Sequence, residues 1–239
     1  MAHKVDLYNI IIQARMGSVR FPGKSMYFFN ARPALSYLID ALLQCIDRAR
    51  ICVVTSERKE NDCIRDFCRA EHIEVYSGSE QNVASRFYEV LQKKRCHRFV
   101  RLSGDSPLFD YRLLEKALYA FPDRCDVYSS IYTERYPSGM NFEIIQRSTF
   151  LNAYPLFTKE EDFEHVTRYF YTHDKHYLII QAPALNVVPM TACRFSFDTA
   201  GDAQRINAFF QSIDKPHYSY SFQKKLEIMR KLEKDNAYA

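Results

Sequence analysis

No run of about eighteen apolar residues occurs in this 239-residue chain, which excludes a helical membrane span. Nor does a secretory h-region with a cleavage site precede the first apolar strand, so the expected location is the cytoplasm. The seven cysteines (Cys45, Cys52, Cys63, Cys68, Cys96, Cys125, Cys193) contain no Cys-x-x-Cys pair. Most sit in apolar patterns, which fits free buried thiols rather than a disulfide framework or a zinc site. Tryptophan is absent, and the 17 Tyr and 18 Phe are scattered rather than interleaved with a basic stripe. With a formal net charge of only +4, a nucleic-acid surface has no support. There is no Gly-x-Ser-x-Gly elbow for a covalent serine mechanism, no Asp-x-Asp, no internal repeat, no linker and no low-complexity segment.

What remains is an ordinary globular composition, 47% hydrophobic, long enough for one domain with an ample core. Strands are expected at about 8–13, 51–55, 74–76 and 98–102, alternating with helical patterns at about 34–46, 61–70 and 83–94. Ile10-Ile11-Ile12 and Cys52-Val53-Val54 are continuously apolar, as parallel strands covered on both faces are. The expected fold class is therefore α/β, doubly wound, with a mostly parallel sheet. After Asp110 a helix to about 121 and a strand near 126–130 continue the scheme. The segment 131–145 breaks it with Tyr-Pro-Ser-Gly turn chemistry and a strand. A helix at 160–172, short strands at 177–182 and 186–188, a strand at 194–197 ending at Asp198, and closing helices at about 201–212 and 221–232 complete the expectation. The lysines of the last helix read as a solvated face.

The most informative stretch is Ile11-Ile12-Gln13-Ala14-Arg15-Met16-Gly17-Ser18-Val19-Arg20-Phe21-Pro22-Gly23-Lys24. An apolar strand runs into a turn-rich loop carrying Arg15, Arg20 and Lys24, where glycines allow close backbone approach and the cations can neutralise a triphosphate. A Walker loop is excluded, since five residues rather than four separate Gly17 from Gly23-Lys24. Met26 to Phe29 reads as extended and Asn30 to Pro33 as a turn, so no strong helix opens at Lys24.

Two carboxylates follow strands. Ser103-Gly104-Asp105-Ser106-Pro107 places Asp105 after one, and Phe195-Ser196-Phe197-Asp198-Thr199 places Asp198 after another. Together they can share one Mg²⁺ with phosphate oxygens; alone, each is equally a helix cap. Ser77-Gly78-Ser79 with Asn82 and Arg86 opens a helix, and either reads a nucleobase edge or is a plain capped helix with a surface arginine. Glu164-His165 and the turn Tyr136-Pro137-Ser138-Gly139 leading to Asn141 and Glu143 are candidates for an acceptor side. A lone helical histidine is also a common structural residue, and His173 with His176 has no zinc-like partners.

The ordered set resembles the cytidylyltransferases that make CMP-activated sugars, with the spore coat polysaccharide biosynthesis (SpsF-like) branch nearest. The match runs from the 11–24 motif through Thr55-Ser56, Asn61-Asp62, Ser77-Gly78-Ser79, Arg86-Phe87, Ser103 to Pro107, Tyr136-Pro137-x-Gly139, Glu143, Glu164-His165-Val166-Thr167 and Asp198-Thr199, about residues 7–205. The resemblance implies a nucleotide-diphospho-sugar transferase fold of GT-A-like, Rossmann-like type, forming a single domain over 1–239. Its nucleotide-binding part would be about 1–130 and 194–212, and its acceptor and dimerisation part about 131–190.

It also implies CTP bound by Ala14, Arg15, Gly17, Ser18, Arg20 and Lys24, with Arg15, Arg20 and Lys24 at the phosphates, by Ser77, Gly78, Ser79 and Arg86 at the base, and by Ser103, Gly104 and Asp105. Mg²⁺ would lie on Asp105 and Asp198, the catalytic set would be Arg15, Lys24, Asp105 and Asp198, and a small acidic acceptor would meet Tyr136, Asn141, Glu143, Glu164, His165 and Arg168. A homodimer is implied, with neither nucleic acid nor membrane as partner. The chain departs from the branch at Asn82 and Asn141, where Asp is usual, at Phe163, where Arg is usual, and at Arg168, where Pro is usual. Arg168 can meet an acceptor carboxylate or phosphate, or be a solvated arginine. The rival classes are a glycosyltransferase of the same fold consuming a nucleotide sugar, and a non-catalytic nucleotide-binding homologue. The absent Asp-x-Asp speaks against the first, and intact Lys24, Asp105 and Asp198 against the second.

Overall fold

The run Tyr-Asn-Ile-Ile-Ile-Gln offers no polar face to water, and it forms the buried strand β1 (Tyr8–Gln13) at the centre of the molecule. The computed structural model describes residues 8–122, 124–131, 136–183, 185 and 194–235. After β1 comes a small hairpin, β2 (Phe28–Phe29) with β3 (Arg32–Pro33). Asn30 and Ala31 turn it at φ 44° and 61°, the positive pair that a two-residue hairpin turn requires. Then α1 (Ala34–Leu42), β4 (Ile51–Ser56), α2 (Asp62–Ala70), β5 (Glu74–Gly78), α3 (Val83–Lys93) and β6 (Arg98–Ser103) alternate as expected, although α1 stops four residues early.

β1 pairs in parallel with β4 on one side and with β6 on the other, and β4 pairs in parallel with β5. The chain winds outward from β1 to β5 and then returns across β1 to β6. Strand direction of travel thus reverses between β1 and β6, and a ligand crevice is expected at their carboxyl ends. The second half adds α4 (Tyr111–Ala120), β7 (Val127–Ser129), β8 (Glu143–Gln146), α5 (Arg147–Ala153), α6 (Glu160–His165), α7 (Arg168–Thr172) and β9 (Ile179–Gln181). The sheet order is β5-β4-β1-β6-β8-β7-β9, antiparallel only where β8 meets β6 and β7. It is a seven-stranded, mostly parallel α/β sheet. Two helices, α8 (Ala200–Ser212) and α9 (Phe222–Lys234), close the chain.

Period-two alternation splits the interior into two cores. Ile10, Ile12 and Val53 pack with Leu38, Phe209 and Met229, while Ile11 and Val54 pack with Phe87, Phe99, Phe150 and Phe170 on the opposite face. Cys52, Cys68 and Cys125 are free and buried, whereas Cys63 is exposed; Cys193 lies outside the described residues. No described helix is long and apolar enough to cross a membrane.

Three expectations change and one lies outside the described residues. Residues 194–197 form no strand: their neighbour is the turn at Gly139, which offers one backbone acceptor, Ser138 O to Phe195 N at 2.7 Å, and so no ladder. The expected strand at 186–188 lies outside the described residues. The helix expected over 160–172 breaks into α6 and α7 at Val166, whose φ is 57°. Finally, Lys225 is not solvated with its helix neighbours but fully buried, its Nζ donating to Leu108 O at 2.9 Å and Phe109 O at 3.1 Å. Asp110 completes that pin by accepting from Phe222 N, the first residue of α9, at 2.6 Å.

Candidate active site

The cation loop is assembled around the backbone of one residue, Met16. Met16 N donates to Asn61 Oδ1 at 2.8 Å, and Met16 O accepts from Ser18 N at 2.9 Å and Gly23 N at 2.8 Å. Asn61 is wholly buried and donates onward to Ser56 Oγ at 2.7 Å, which ties the loop to the end of β4. Gly23 sits at φ 77°, a conformation that glycine adopts without strain. Gly104 follows β6 so closely against β1 that a Cβ would lie 3.0 Å from Ala14 Cβ and 3.2 Å from Gln13 O. The two strand ends therefore meet with their loops facing one cleft.

That cleft, about 310 Å³, is within the range of small-molecule sites. Ten expected residues line it: Ala14, Arg15, Ser18, Arg20, Lys24, Arg86, Ser103, Asp105, Glu164 and His165. At its mouth the Lys24 ammonium contacts Asp105 Oδ2 at 2.5 Å and Asp198 Oδ1 at 2.8 Å, and Arg20 reaches Asp198 Oδ2 at 3.0 Å. Burial works against the lysine charge, but the attraction and hydrogen bond of Asp105, then those of Asp198, outweigh it and raise the Lys24 pKa above its ordinary value. Neither aspartate caps a helix. Thr199 caps α8, its Oγ1 accepting from Asp202 N at 3.1 Å in a reciprocal capping box, and Asp110 caps α4. With the caps supplied by neighbours, both carboxylates are left to the cations: Asp105 lines the cleft, and Asp198 meets Lys24 and Arg20 beside it.

Arg86 lines the cleft from a buried position, and other expected residues stand behind it. Arg86 is 1% exposed, and two of its guanidinium nitrogens donate to backbone, Nε to Ser79 O at 2.6 Å and Nη2 to Glu80 O at 2.9 Å. Burial lowers its pKa to about 10, so it stays charged while bracing the 77–80 loop. Ser77, Gly78 and Ser79 lie behind it, Gly78 being so close that a Cβ would meet Arg86 Cγ at 3.2 Å. Gly17 turns beside Glu60. Asn82 caps α3 through Ser85 N at 2.8 Å and, with Arg15, Glu160, Phe163 and Glu164, lines a second cleft adjoining the first.

On the acceptor side the structure brings only Glu164 and His165 to the main cleft. Tyr136 is buried with its hydroxyl on Pro183 O at 3.1 Å, and Arg168 pairs with the buried Asp162 at 2.6 Å. Asn141 is half-buried, and its Oδ1 has no hydrogen-bond partner among the described residues. Glu143 is fully buried beneath the cleft and holds Arg101, whose Nη1 donates to Glu143 Oε2 at 2.5 Å. Arg101 itself lines the cleft and was missed by the sequence reading. A charged residue inside the apolar run of β6, two positions before Ser103 and so on the same face, was the available signal.

An oxygen of Asp105 and an oxygen of Asp198 meet the same ammonium, so the two carboxylates converge on one point. Two carboxylates, with the remaining positions open to phosphate oxygens and water, are the donor set that Mg²⁺ accepts. No group of three or more His, Cys, Asp or Glu that could hold a metal occurs among the described residues, so a bound ion would need a ligand's oxygens as well.

A family model described as cytidylyltransferase matches residues 9–238. The spore coat polysaccharide biosynthesis protein SpsF of Bacillus subtilis (strain 168) is 30% identical over 219 residues, 88% of this chain and 90% of that protein. A cytidylyltransferase from Leptospira borgpetersenii superposes with a TM-score of 0.87 at 20% identity, covering 97% of this chain and 96% of its own. A CMP:2-keto-3-deoxy-manno-octonic acid synthetase solved with CTP gives 0.61 at 16% identity, covering 85% and 98%.

Proposed function

Because this chain belongs to the cytidylyltransferase family and is a nucleotidyltransferase, we propose that it transfers CMP from CTP to a small acidic acceptor in the cytoplasm. Pyrophosphate is released, Mg²⁺ is the working cation, and the product serves surface polysaccharide or glycoconjugate synthesis. The observation that carries this reading is the convergence of Arg20, Lys24, Asp105 and Asp198 at the mouth of a cleft that Arg15 also lines.

In this reading Arg15, Arg20 and Lys24 hold the triphosphate and neutralise charge that grows on the leaving pyrophosphate. An acceptor oxygen approaches the α-phosphorus in line, a new P–O bond forms, and the bond to the β-phosphate bridging oxygen breaks with its electron pair. Lys24, released from the carboxylates when substrate binds, donates to phosphate oxygen; Asp105 and Asp198 are then free for the cation. A divalent ion there supplies charge neutralisation at the phosphates. An already ionised acceptor oxygen needs no base, and for a hydroxyl Asp198 is the nearest candidate to lower the cost of proton loss. Positioning supplies much of the rate.

The test is thermal stability with CTP, UTP, ATP and GTP, each with and without Mg²⁺, followed by pyrophosphate release with 2-keto-3-deoxy-manno-octonic acid and with phosphonates. A CTP-selective, Mg²⁺-dependent rise is expected, since a ligand that binds only the native state must stabilise it. Stabilisation by nucleotide sugars and by no triphosphate overturns the reading. The homodimer belongs to the same proposal and is checked by light scattering.

A further inference from the structure

Arg101 is held on three sides. Its Nη1 donates to Glu143 Oε2 at 2.5 Å and to Thr167 Oγ1 at 3.3 Å, and its Nε donates to Gln13 Oε1 at 3.1 Å. Its side chain is 16% exposed, and that of Glu143 is 1%. Glu143 is fixed in turn by Thr167 Oγ1 at 3.1 Å and by the Tyr171 hydroxyl. Nη2 has no partner among the described residues, yet it is not among the buried unpartnered atoms. The space that Arg101 lines is the main cleft. The guanidinium is therefore immobilised through Nε and Nη1, and Nη2 remains without a partner among the described residues on a side chain that lines the cleft.

A second observation ties this donor to the cleft wall. Val166 sits at φ 57° and ψ −56°, and Thr167 N donates to His165 O at 2.5 Å across it. That is the strained form of the γ-turn, rare for any residue and rarer for a β-branched one. The strain is local to the link between His165, which faces the cleft, and Thr167, which grips Arg101 and Glu143. Backbone held in so sparse a conformation persists where the surroundings over-determine it, and such residues gather at binding sites. One strained turn thus sets a wall residue and a floor residue in fixed relation.

We propose that Arg101 is a specificity-determining residue for the acceptor, its Nη2 binding an oxyanion of that substrate beside His165. This rests on the cytidylyltransferase reading, in which Arg15, Arg20 and Lys24 are committed to the nucleotide phosphates. Glu143 offsets the charge of Arg101, so the cleft gains little net positive charge at this point. Recognition is by the fixed direction of a charge-assisted hydrogen bond, which favours an anionic oxygen at one place over a diffuse anion.

The experiment uses the full chain saturated with CTP and Mg²⁺, so that the nucleotide subsite is filled. Inorganic phosphate, and separately pyruvate as the smallest 2-keto acid, are titrated while the melting temperature is followed. The variants are Arg101→Met and, because Met leaves Glu143 buried and unpaired, Arg101→Lys, which keeps a cation on Glu143. At least one anion is expected to raise the melting temperature of CTP-loaded wild type further. In Arg101→Lys the CTP shift should persist while the apparent anion Kd rises at least tenfold. No added shift in the wild type from either anion, or an equal added shift in wild type and Arg101→Lys, overturns the proposal. If CTP itself gives wild type no shift, the cytidylyltransferase reading fails and takes this proposal with it.

Discussion

The ammonium of Lys24 lies between the carboxylates of Asp105 and Asp198, residues 81 and 174 positions further along the chain. Without ligand, the lysine therefore covers the oxygens that a divalent cation would use. Under the proposed function, lysine and cation would compete for one seat, and a nucleotide would resolve the competition by drawing the ammonium to its phosphates. Lys24→Ala should lower turnover about 10²–10³-fold, the scale of losing one charge-stabilising donor. The same variant should bind Mn²⁺ more tightly than wild type in the absence of nucleotide, read from the free-ion electron paramagnetic resonance signal. Equal Mn²⁺ affinity would mean that these carboxylates are not the cation's seat.

Gly139 carries a second long-range dependence. Its φ is 90°, and a Cβ there would fall 2.3 Å from both Phe195 C and Ser196 N. Gly139→Ala adds backbone strain of about 1–3 kcal/mol to that clash and pushes away the segment that carries Asp198. Loss of several degrees in melting temperature is expected, with loss of CTP-dependent stabilisation beyond what the global change explains. Retention of the full CTP shift would separate the 136–140 turn from the site.

Asn61 is the hidden support of the cation loop. Asn61→Ala leaves Met16 N and Ser56 Oγ without their present partner, a cost of about 1–3 kcal/mol for buried groups. Because the loop and not the chemistry is loosened, KM for CTP should rise about tenfold with a smaller change in kcat, measured by steady-state pyrophosphate release. A fall in kcat at unchanged KM contradicts this.

The buried Lys225 gives the fold a signed response to pH. Burial, with Asp110 opposing, lowers its pKa to about 7 from 10.5, so between those values the unfolded chain holds a proton that the folded chain has released. Stability contributed at this site therefore rises with pH across the window from about 7 to 10.5 and is level outside it. Denaturant midpoints of wild type relative to Lys225→Met should climb through that range. A pH-independent difference would show that the amine keeps its proton when folded.

The alternation of β1, α1, β4, α2, β5, α3 and β6 was legible because each strand is a continuous apolar run and each helix has its own stripe. Residues 194–197 misled for a related reason: Phe-Ser-Phe alternates as a strand does, but a ladder needs a second strand, and the neighbour is a turn. The break at Val166 carries no local signal either, since valine is among the residues least suited to positive φ. Arg86 shows the limit for function. Its spacing left a base reader and a plain capped helix equally open; the structure shows its Nε and Nη2 on the Ser79 and Glu80 carbonyls while it still lines the cleft.

The sequence by itself determined that a cation-bearing, glycine-turned loop follows β1 and that carboxylates follow β6 and precede α8. Those are local facts of turn chemistry and hydrophobic period. Only the tertiary structure decided that Lys24 would stand between Asp105 and Asp198, that Thr199 and Asp110 would take the capping duties, and that Glu143 and Thr167 would aim Arg101. Such pairings depend on which strand ends the sheet brings side by side. The parallel register of β1 with β6, and the packing of residues 194–198 on Gly139, set those distances.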